Sequence, residues 1–293
     1  MSADFLLLGT VLLWSFNFAA LKYAVTHGFS PLTYAPVRWA IAGTVFAAVT
    51  WRRERSLRIS RRDLGLLALL AAVGIFLNQI CIAYASRLIT ASTVALLFGT
   101  LPVFVALFSQ LAGVERLRMR HWIAVAVSFS GVALVATGAG GGLSTHVGGV
   151  LLALATAATF GAYSVGIVPL MRRHSPYLIN AMTALIGAVL LASIGSWKLA
   201  AQNWSIGALA WGGVLYGALA SAVFGNLLWF KAVDRVGPGR AALYVNLQPF
   251  LGAVFAVVVL SESLGLLQVA GGVVVGAAIL IARVRPTRAP PAE

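Results

Sequence analysis

Residues 64–84 read LGLLALLAAVGIFLNQICIAY, a run of 21 residues without a charged side chain. Arg61, Arg62 and Asp63 precede this run and Arg87 follows it, so the apolar stretch has polar ends. A helix needs roughly 20 apolar residues to cross the ~30 Å hydrocarbon core of a bilayer. The stretch therefore predicts one membrane-spanning helix.

Similar runs recur along the whole chain, each bounded by charges or by Gly, Pro and Ser clusters. The chain has 293 residues, of which 60% are hydrophobic and 10% charged, which is too apolar for a water-soluble core of this size. The runs are continuous, whereas the strands of a membrane barrel would alternate. We therefore expect an all-α polytopic membrane protein with ten transmembrane helices, at Phe5–Val25, Tyr34–Trp51, Leu64–Tyr84, Thr90–Gln110, Trp122–Thr137, Gly149–Pro169, Tyr177–Trp197, Gly207–Ala232, Arg240–Leu260 and Leu264–Val284.

Lysine and arginine are unevenly divided between the two ends of these helices. Seventeen fall on the side that includes Arg52 and Arg53, and four, Lys22, Arg38, Arg87 and Lys198, fall on the other. The positive-inside rule then predicts that both termini lie in the cytoplasm. The expected location is a bacterial inner membrane. The net charge of +14 follows this pattern and forms no basic stripe interleaved with stacking aromatics, so we expect no nucleic-acid partner.

The two halves of the sequence match at an offset of 147 residues. The matched pairs are Pro102 with Pro249, Gln79 with Asn226, Glu115 with Glu262, Leu117 with Leu264 and Ala85 with Ala232. Each half holds five predicted helices, so the second copy must enter the membrane from the opposite side. We expect a first repeat over residues 1–146, an inverted second repeat over 147–285 and a cytoplasmic tail over 286–293. Inverted repeats of this kind place a site near the bilayer midplane of secondary transporters.

Several motifs occur in this pattern. The first copy carries LWSFNF at 13–18, Ser30-Pro31-Leu32, Arg38, Leu101-Pro102 and GVERL at 113–117, and the second carries Ser175-Pro176, Gln248-Pro249 and SESL at 261–264. Together they resemble the drug/metabolite transporter superfamily, EamA type, over nearly the whole chain. The pattern is most similar to bacterial YddG-type exporters of aromatic amino acids and related metabolites. The resemblance implies ten helices, a central cavity and alternating access. Residues 180–183 depart from it, because they lack a counterpart of Arg38.

Polar and aromatic residues inside the predicted spans form the candidate substrate site. Polar groups in lipid are costly unless paired, so they face the bundle interior or a wet cavity. Each of them has an alternative interpretation as an interhelical hydrogen bond. As a set, uncharged amides and hydroxyls beside aromatic faces suit a small amphipathic ligand with a neutral or zwitterionic head. The candidates are Trp14, Asn17, Arg38, Asn78, Gln79, Tyr84, Tyr163, Asn226, Trp229, Tyr244 and Asn246.

Five residues have further expected roles. Arg38 lies about one turn inside the second helix, where it can contact a carboxylate or form an outer gate. The alternative is that it snorkels to the interface or binds backbone carbonyls. Pro102 and Pro249 each remove an N–H from a helical run, which makes them candidates for a hinge or gate, or for a static kink. Glu115 and Glu262 are expected to cap the helix that follows each of them, with a relay role as the alternative.

Residues for catalysis or metal binding are scattered. Cys81 stands alone, and the four histidines lie in loops or at span ends, so neither a metal site nor a mid-membrane base is expected. No Gly-x-x-x-x-Gly-Lys motif for nucleotide phosphates occurs. We therefore expect a transporter without cofactor or metal rather than an enzyme. The alternative is an integral membrane enzyme acting on a lipid or an amphipathic metabolite.

The sequence also bears on substrate, energy source and partners. All seven acids and four histidines lie outside the middle of the spans, so a proton has no evident binding site there. We expect export of small metabolites, amino acids that are aromatic or otherwise neutral, driven by the substrate gradient or by exchange. The expected partners are the small-molecule substrate and the lipid bilayer. The pattern favours a monomer, with weak self-association left open.

Overall fold

The computed structural model describes residues 2–113, 119–138 and 143–283, leaving aside the side chains of 120–121, 143–146, 233–234, 236–243 and 282–283. Glu115 therefore lies outside the described residues. All regular structure in the described part is helical. The helices are α1 (Ala3–Thr26), α2 (Pro31–Glu54), α3 (Arg61–Leu88), α4 (Ala91–Leu111), α5 (Met119–Gly138), α6 (Leu143–Gly166 and Val168–Met171), α7 (Pro176–Ala200), α8 (Ala208–Leu215, Tyr216–Gly225 and Asn226–Val245), α9 (Gln248–Leu260) and α10 (Leu266–Arg283).

Length and composition identify a polytopic membrane protein. Seven described segments are long and apolar enough to cross a bilayer, namely Ala3–Thr26, Pro31–Glu54, Arg61–Leu88, Ala91–Leu111, Val147–Met171, Pro176–Ala200 and Ala208–Ala232. Shorter apolar helices cover Trp122–Gly138, Gln248–Leu260 and Leu266–Ile281. Many large apolar side chains, such as Leu209 and Val258, are exposed on the bundle surface, as expected where lipid rather than water is the solvent.

Polar contacts define the two ends of the bundle. At one end, which we call the arginine-rich end, Asp63 at the start of α3 contacts Arg173 and His174 of the α6–α7 connection. At the other, which we call the far end, the Lys22 ammonium of α1 donates to the Ile89 carbonyl between α3 and α4, 2.8 Å away. The connections after α1, α3 and α9 lie at the far end, and those after α2 and α6 lie at the arginine-rich end.

Prolines set both the starts and the breaks of several helices. Pro31 and Pro176 occupy the first turn of α2 and α7, where the missing N–H costs no hydrogen bond. Within α4 the helix breaks at residues 99–100, just before Pro102. A similar break at residues 246–247 precedes Pro249. Both prolines predicted to interrupt helical runs therefore do so.

The ninth predicted helix differs from the observed one. We expected it to begin at Arg240, but the backbone is helical over Asn226–Val245 and α9 begins at Gln248. The chain nevertheless turns back between Ser221 and Gln248, because Trp14 donates to the Ser221 carbonyl and the adjacent Ser15 donates to the Gln248 carbonyl. The helix begins late because Pro249 cannot donate an N–H to the turn before it.

The helices pack in pairs around a shared centre. α2 lies along α7, and α5 lies along α10. α1 packs against α8 and α9, α6 packs against α3 and α4, and α4 contacts α9. Glycines allow close approach inside the chain: a Cβ on Gly213 would lie 2.7 Å from the Ala20 carbonyl oxygen, and one on Gly276 would lie 2.9 Å from Phe250. Gly213 and Gly276 each belong to a Gly-x-x-x-Gly motif, with Gly217 and Gly272 respectively, and both motifs make close contacts within this bundle.

Candidate functional site

A cavity of about 300 Å³ lies among α1, α2, α3, α4, α6, α7, α8 and α9. Its lining extends to Met171 and Pro176 at the arginine-rich end, where the Met171 side chain is 49% exposed. Towards the far end the lining stops at Phe18, Arg38 and Ile82. Beyond them is a packed cluster that seals the far end and includes Leu21, Val25, Phe29, Tyr34, Ala85 and Ile89. The cavity therefore faces the arginine-rich end.

Most of the candidate residues from the sequence meet in this cavity. Trp14, Asn17, Arg38, Asn78, Gln79, Tyr163, Asn226 and Trp229 all line it. Three candidates lie outside the lining. Tyr84 is half-buried elsewhere on α3, the Tyr244 hydroxyl donates to Asp4 at 2.6 Å, and Asn246 lines a smaller cleft of about 20 Å³ together with Pro102 and Pro249.

The cavity also contains residues that were absent from the candidate set. They include the aromatic residues Trp39, Phe98 and Phe160 and the polar residues Asn180, Ser221 and Gln248. A period of 3.6 residues in a helix of almost entirely apolar composition does not distinguish the cavity face from the lipid face. Asn180 and Gln248 are the exceptions, since an amide within a membrane span is itself a signal.

A chain of hydrogen bonds crosses one wall of the cavity. The Arg38 Nη1 atom donates to Gln79 Oε1 at 2.9 Å, and Gln79 Nε2 donates to Asn78 Oδ1 at 3.1 Å. Asn78 Nδ2 then donates to the Thr156 carbonyl of α6 at 2.8 Å. These bonds join α2, α3 and α6 and hold the Gln79 amide beside the guanidinium.

Arg38 lies deeper than the sequence suggested. It is seven residues after the start of α2, which is about 10 Å along the helix axis at ~1.5 Å per residue. Only 6% of the residue is exposed, and the guanidinium points at Gln79 instead of the interface. The snorkelling alternative is therefore wrong for this residue.

The opposite wall is built from α1, α7 and α8. The Trp14 indole N–H donates to the Ser221 carbonyl at 3.1 Å, and the Trp14 and Trp229 rings lie 5.5 Å apart. Asn226 Nδ2 donates to Asn180 Oδ1 at 3.2 Å. Ser221 lies in the π-helical part of α8, where wider turns leave carbonyls available to other donors.

Three buried polar atoms at the closed end of the cavity lack a hydrogen-bond partner. They are Arg38 Nε, Tyr34 Oη and Asn17 Oδ1. All three surround Gly217, where an added Cβ would lie 2.8, 2.8 and 3.0 Å from them, respectively. Glycine at this position gives these polar groups their space.

A carboxylate joins two helical connections at the far end. Glu262 accepts hydrogen bonds from the backbone N–H groups of Ala91 and Ser92, at 2.8 and 2.9 Å, and from the Ser92 hydroxyl at 2.7 Å. We call this group of bonds the Glu262 clasp. The carboxylate thus caps α4, where the helix dipole favours a negative charge. The sequence analysis predicted that Glu262 would cap the following helix, α10, and this prediction is wrong. The prediction assumed that Glu262 binds the helix next to it in sequence, whereas its partners Ala91 and Ser92 are distant in sequence.

Metal ligands do not gather in the described part of the chain. Among those residues no group of three or more His, Cys, Asp and Glu side chains is placed to hold an ion. Another charged group, Asp63, lies 2.8 Å from both Arg173 and His174 at the arginine-rich end. This group joins α3 to the α6–α7 connection and lies outside the cavity lining.

Comparison with known proteins agrees with this architecture. An "Uncharacterized transporter YdeK" of Bacillus subtilis is 30% identical over 275 residues, covering 93% of this chain and 94% of that protein. A "Probable terminal-alkyne amino-acid exporter" of Streptantibioticus cattleyicolor is 28% identical and covers 90% of this chain and 87% of its own length. A crystal structure with 22% identity superposes with a TM-score of 0.67 over 96% of both chains, which shows the same fold.

The family assignment covers almost the entire sequence. The EamA-like transporter family matches residues 1–137 and, a second time, residues 147–284. The resemblance expected from the motifs is thereby confirmed, and with it a membrane transporter of the drug/metabolite transporter superfamily. This chain belongs to the EamA-like transporter family.

Proposed function

We propose that this protein is a secondary transporter that exports small amphipathic metabolites, chiefly aromatic or other neutral amino acids, across a bacterial inner membrane by alternating access. The observation that carries the proposal is the cavity of about 300 Å³, which combines tryptophan faces with amide side chains. Its volume is at the lower end of the range for small-molecule sites. The likeness to a probable amino-acid exporter supports the same substrate class.

An inverted repeat of ten helices accounts for the packing. Exchanging each helix with the one five places later maps the α3–α6 contact onto α8–α1 and the α4–α6 contact onto α9–α1, both of which occur. The π-helical segments also correspond, because 72–77 shifted by 147 falls within 216–225. The family matches each half separately. Two related halves around one cavity are the arrangement that alternating access requires.

The arginine-rich end is the cytoplasmic end in this proposal. Exposed arginines collect there, among them Arg52, Arg53, Arg58 and Arg173, as the positive-inside rule expects of a cytoplasmic face. The cavity faces that end and the far end is sealed by packed side chains. The structure then corresponds to an inward-facing state, with both termini in the cytoplasm.

The energy source is the substrate gradient or exchange. The described cavity lining contains no Asp, Glu or His, so proton binding has no direct means of changing the charge of the site. Asp63 and His174 pair with each other at the arginine-rich end and lie outside the cavity lining. Transport by this cavity is therefore expected to proceed without a proton gradient.

The test is counterflow in proteoliposomes. Vesicles containing the purified full-length chain are loaded with unlabelled L-phenylalanine and diluted into a trace of labelled L-phenylalanine, leucine or a non-amino-acid solute. We expect transient accumulation of the labelled amino acids, recovered chemically unchanged by mass spectrometry. A modified product would favour the membrane-enzyme alternative, and an absence of accumulation for every solute would contradict transport.

A further inference from the structure

The cavity carries one charge in the described part of its lining, and it is positive. Arg38 is the charged residue among the described residues that line the cavity. No described carboxylate pairs with it: Asp63 binds Arg173 and His174, and Glu262 binds the start of α4. Buried charges in proteins are normally paired, because a charge that leaves water without a partner loses its hydration and gains nothing in return. The described partners of this guanidinium are the Gln79 amide and the Trp39 ring, whose centroid lies 5.2 Å from it, and neither carries a negative charge. A guanidinium in this position beside a cavity therefore indicates that the counter-charge comes from a ligand.

The hydrogen bonding of Arg38 supports the same conclusion. A guanidinium has five N–H donors, and in this structure it makes one hydrogen bond, from Nη1 to Gln79. Its Nε is buried without a partner. The residue is 94% buried and lines the cavity at the closed end, next to Asn17. Donors remain available where the deepest part of a bound solute would lie.

From this geometry we propose that the transported solute is a monocarboxylate whose carboxylate binds Arg38 at the closed end of the cavity, with its apolar body among the aromatic side chains towards the arginine-rich end. Planar carboxylates match the fork of donors that arginine presents. One cation surrounded by neutral amides suits a single negative charge, whereas a dianion would need a second cation. This inference rests on the proposed transport function and names the group that the site recognises.

The same lining indicates what the site does not require. An α-ammonium group would meet no acidic side chain among the described lining residues, only amides, carbonyls and aromatic faces. The carboxylate therefore contributes the specific contact, and the amino group contributes little. Aryl-alkanoic acids without an amino group are expected to bind as well as the corresponding amino acids, and amines or amides without a carboxylate are not.

Binding is measured by tryptophan fluorescence of the full chain in nanodiscs. Trp14, Trp39 and Trp229 line the cavity, so an occupant changes their emission. The probes are L-phenylalanine, 3-phenylpropanoate, L-phenylalaninamide and 3-phenylpropanamide, which share one ring and differ in the two polar groups. We expect the two carboxylates to bind with dissociation constants within about threefold of each other, and the two amides to bind at least tenfold more weakly.

Variants of Arg38 test whether this arginine causes the preference for carboxylates over amides. Arg38→Gln is expected to weaken both carboxylates at least tenfold without changing the amides, and Arg38→Lys to recover part of the loss. Arg87→Gln, an exposed arginine near the far end, is the matched control and should bind all four as the wild type does. Equal wild-type binding of acid and amide would overturn the inference while leaving transport intact. Failure of all four probes to bind would also overturn it, and counterflow of other solutes would then decide the proposed function separately.

Discussion

Breaking the Glu262 clasp should open the far end of the protein. In this structure the clasp ties the α9–α10 connection to the start of α4, and Lys22 ties α1 to the adjacent Ile89. The alternating access that we propose requires these elements to separate when the far end opens. Glu262→Ala removes the acceptor of all three bonds of the clasp, and Glu262→Gln keeps one carbonyl oxygen.

The size of the effect follows from those bonds. A hydrogen bond to a charged group contributes about 1.5–3 kcal/mol when it is well buried. Glu262 is only half-buried, and Thr90 still caps α4 by accepting from Thr93, so water and this cap replace part of the loss. We expect about 2 kcal/mol for Glu262→Ala, similar to the removal of a strong N-cap. At ~1.4 kcal/mol per tenfold, this shifts the ratio of open to closed far ends about 25-fold.

The assay is cysteine labelling from outside the cell. Ala85 is fully buried in the cluster that seals the far end, and Cys81 is removed first by Cys81→Ala. In the Ala85→Cys background, Glu262→Ala should increase the rate of labelling by a membrane-impermeant maleimide at least tenfold. The matched control is Glu54→Gln, which alters a carboxylate bonded to Ser175 at the other end and should not change the rate.

One result would refute the reasoning. If Glu262→Ala lowers the thermal unfolding temperature but leaves the labelling rate of Ala85→Cys unchanged, the clasp stabilises both states equally. It would then be a helix cap without any part in opening the far end.

Three further predictions concern topology, close packing and energy. Reporter fusions at Arg58 and Glu293 should both report cytoplasm and a fusion within residues 140–145 should report the outside; Arg58 and Glu293 on opposite faces would contradict the inverted repeat. Gly217→Ala should reduce exchange at least tenfold because its methyl group displaces Arg38, whereas Gly212→Ala, where an added Cβ meets nothing within 4 Å, should not. Flux under an imposed pH gradient at zero membrane potential should equal flux without it; accumulation above equilibrium would show proton coupling.

Hydrophobic runs predicted the helices well but not their internal breaks in detail. A span such as 64–84 follows from length and composition alone, because an uninterrupted apolar stretch has no other stable form in a bilayer. The breaks before Pro102 and Pro249 also follow from local chemistry. The π-helical segments at 72–77 and 216–225 do not, since nothing in their composition distinguishes them from ordinary helix.

The sequence predicted part of the candidate site, because polar side chains within membrane spans avoid lipid. An amide such as Gln79 or Asn226 must turn away from lipid, so its place in the interior could be inferred. Tyr244 was misleading, because its hydroxyl donates to Asp4, a residue distant in the sequence, and the side chain does not line the cavity. Bridges between distant segments, such as Glu262 to Ala91, depend on packing that one sequence does not specify.

The most direct test of the account asks whether this cavity carries the transported solute. Exchange of L-phenylalanine in proteoliposomes is compared for the wild type, Trp14→Ala, Gln79→Ala and Asn226→Ala, with Asn203→Ala, an exposed amide outside the cavity, as the control. We predict at least tenfold slower exchange for the three cavity variants, with thermal unfolding temperatures near that of the wild type, and an unchanged rate for the control. Wild-type exchange rates in all three cavity variants, or losses that only follow lowered stability, would contradict the claim.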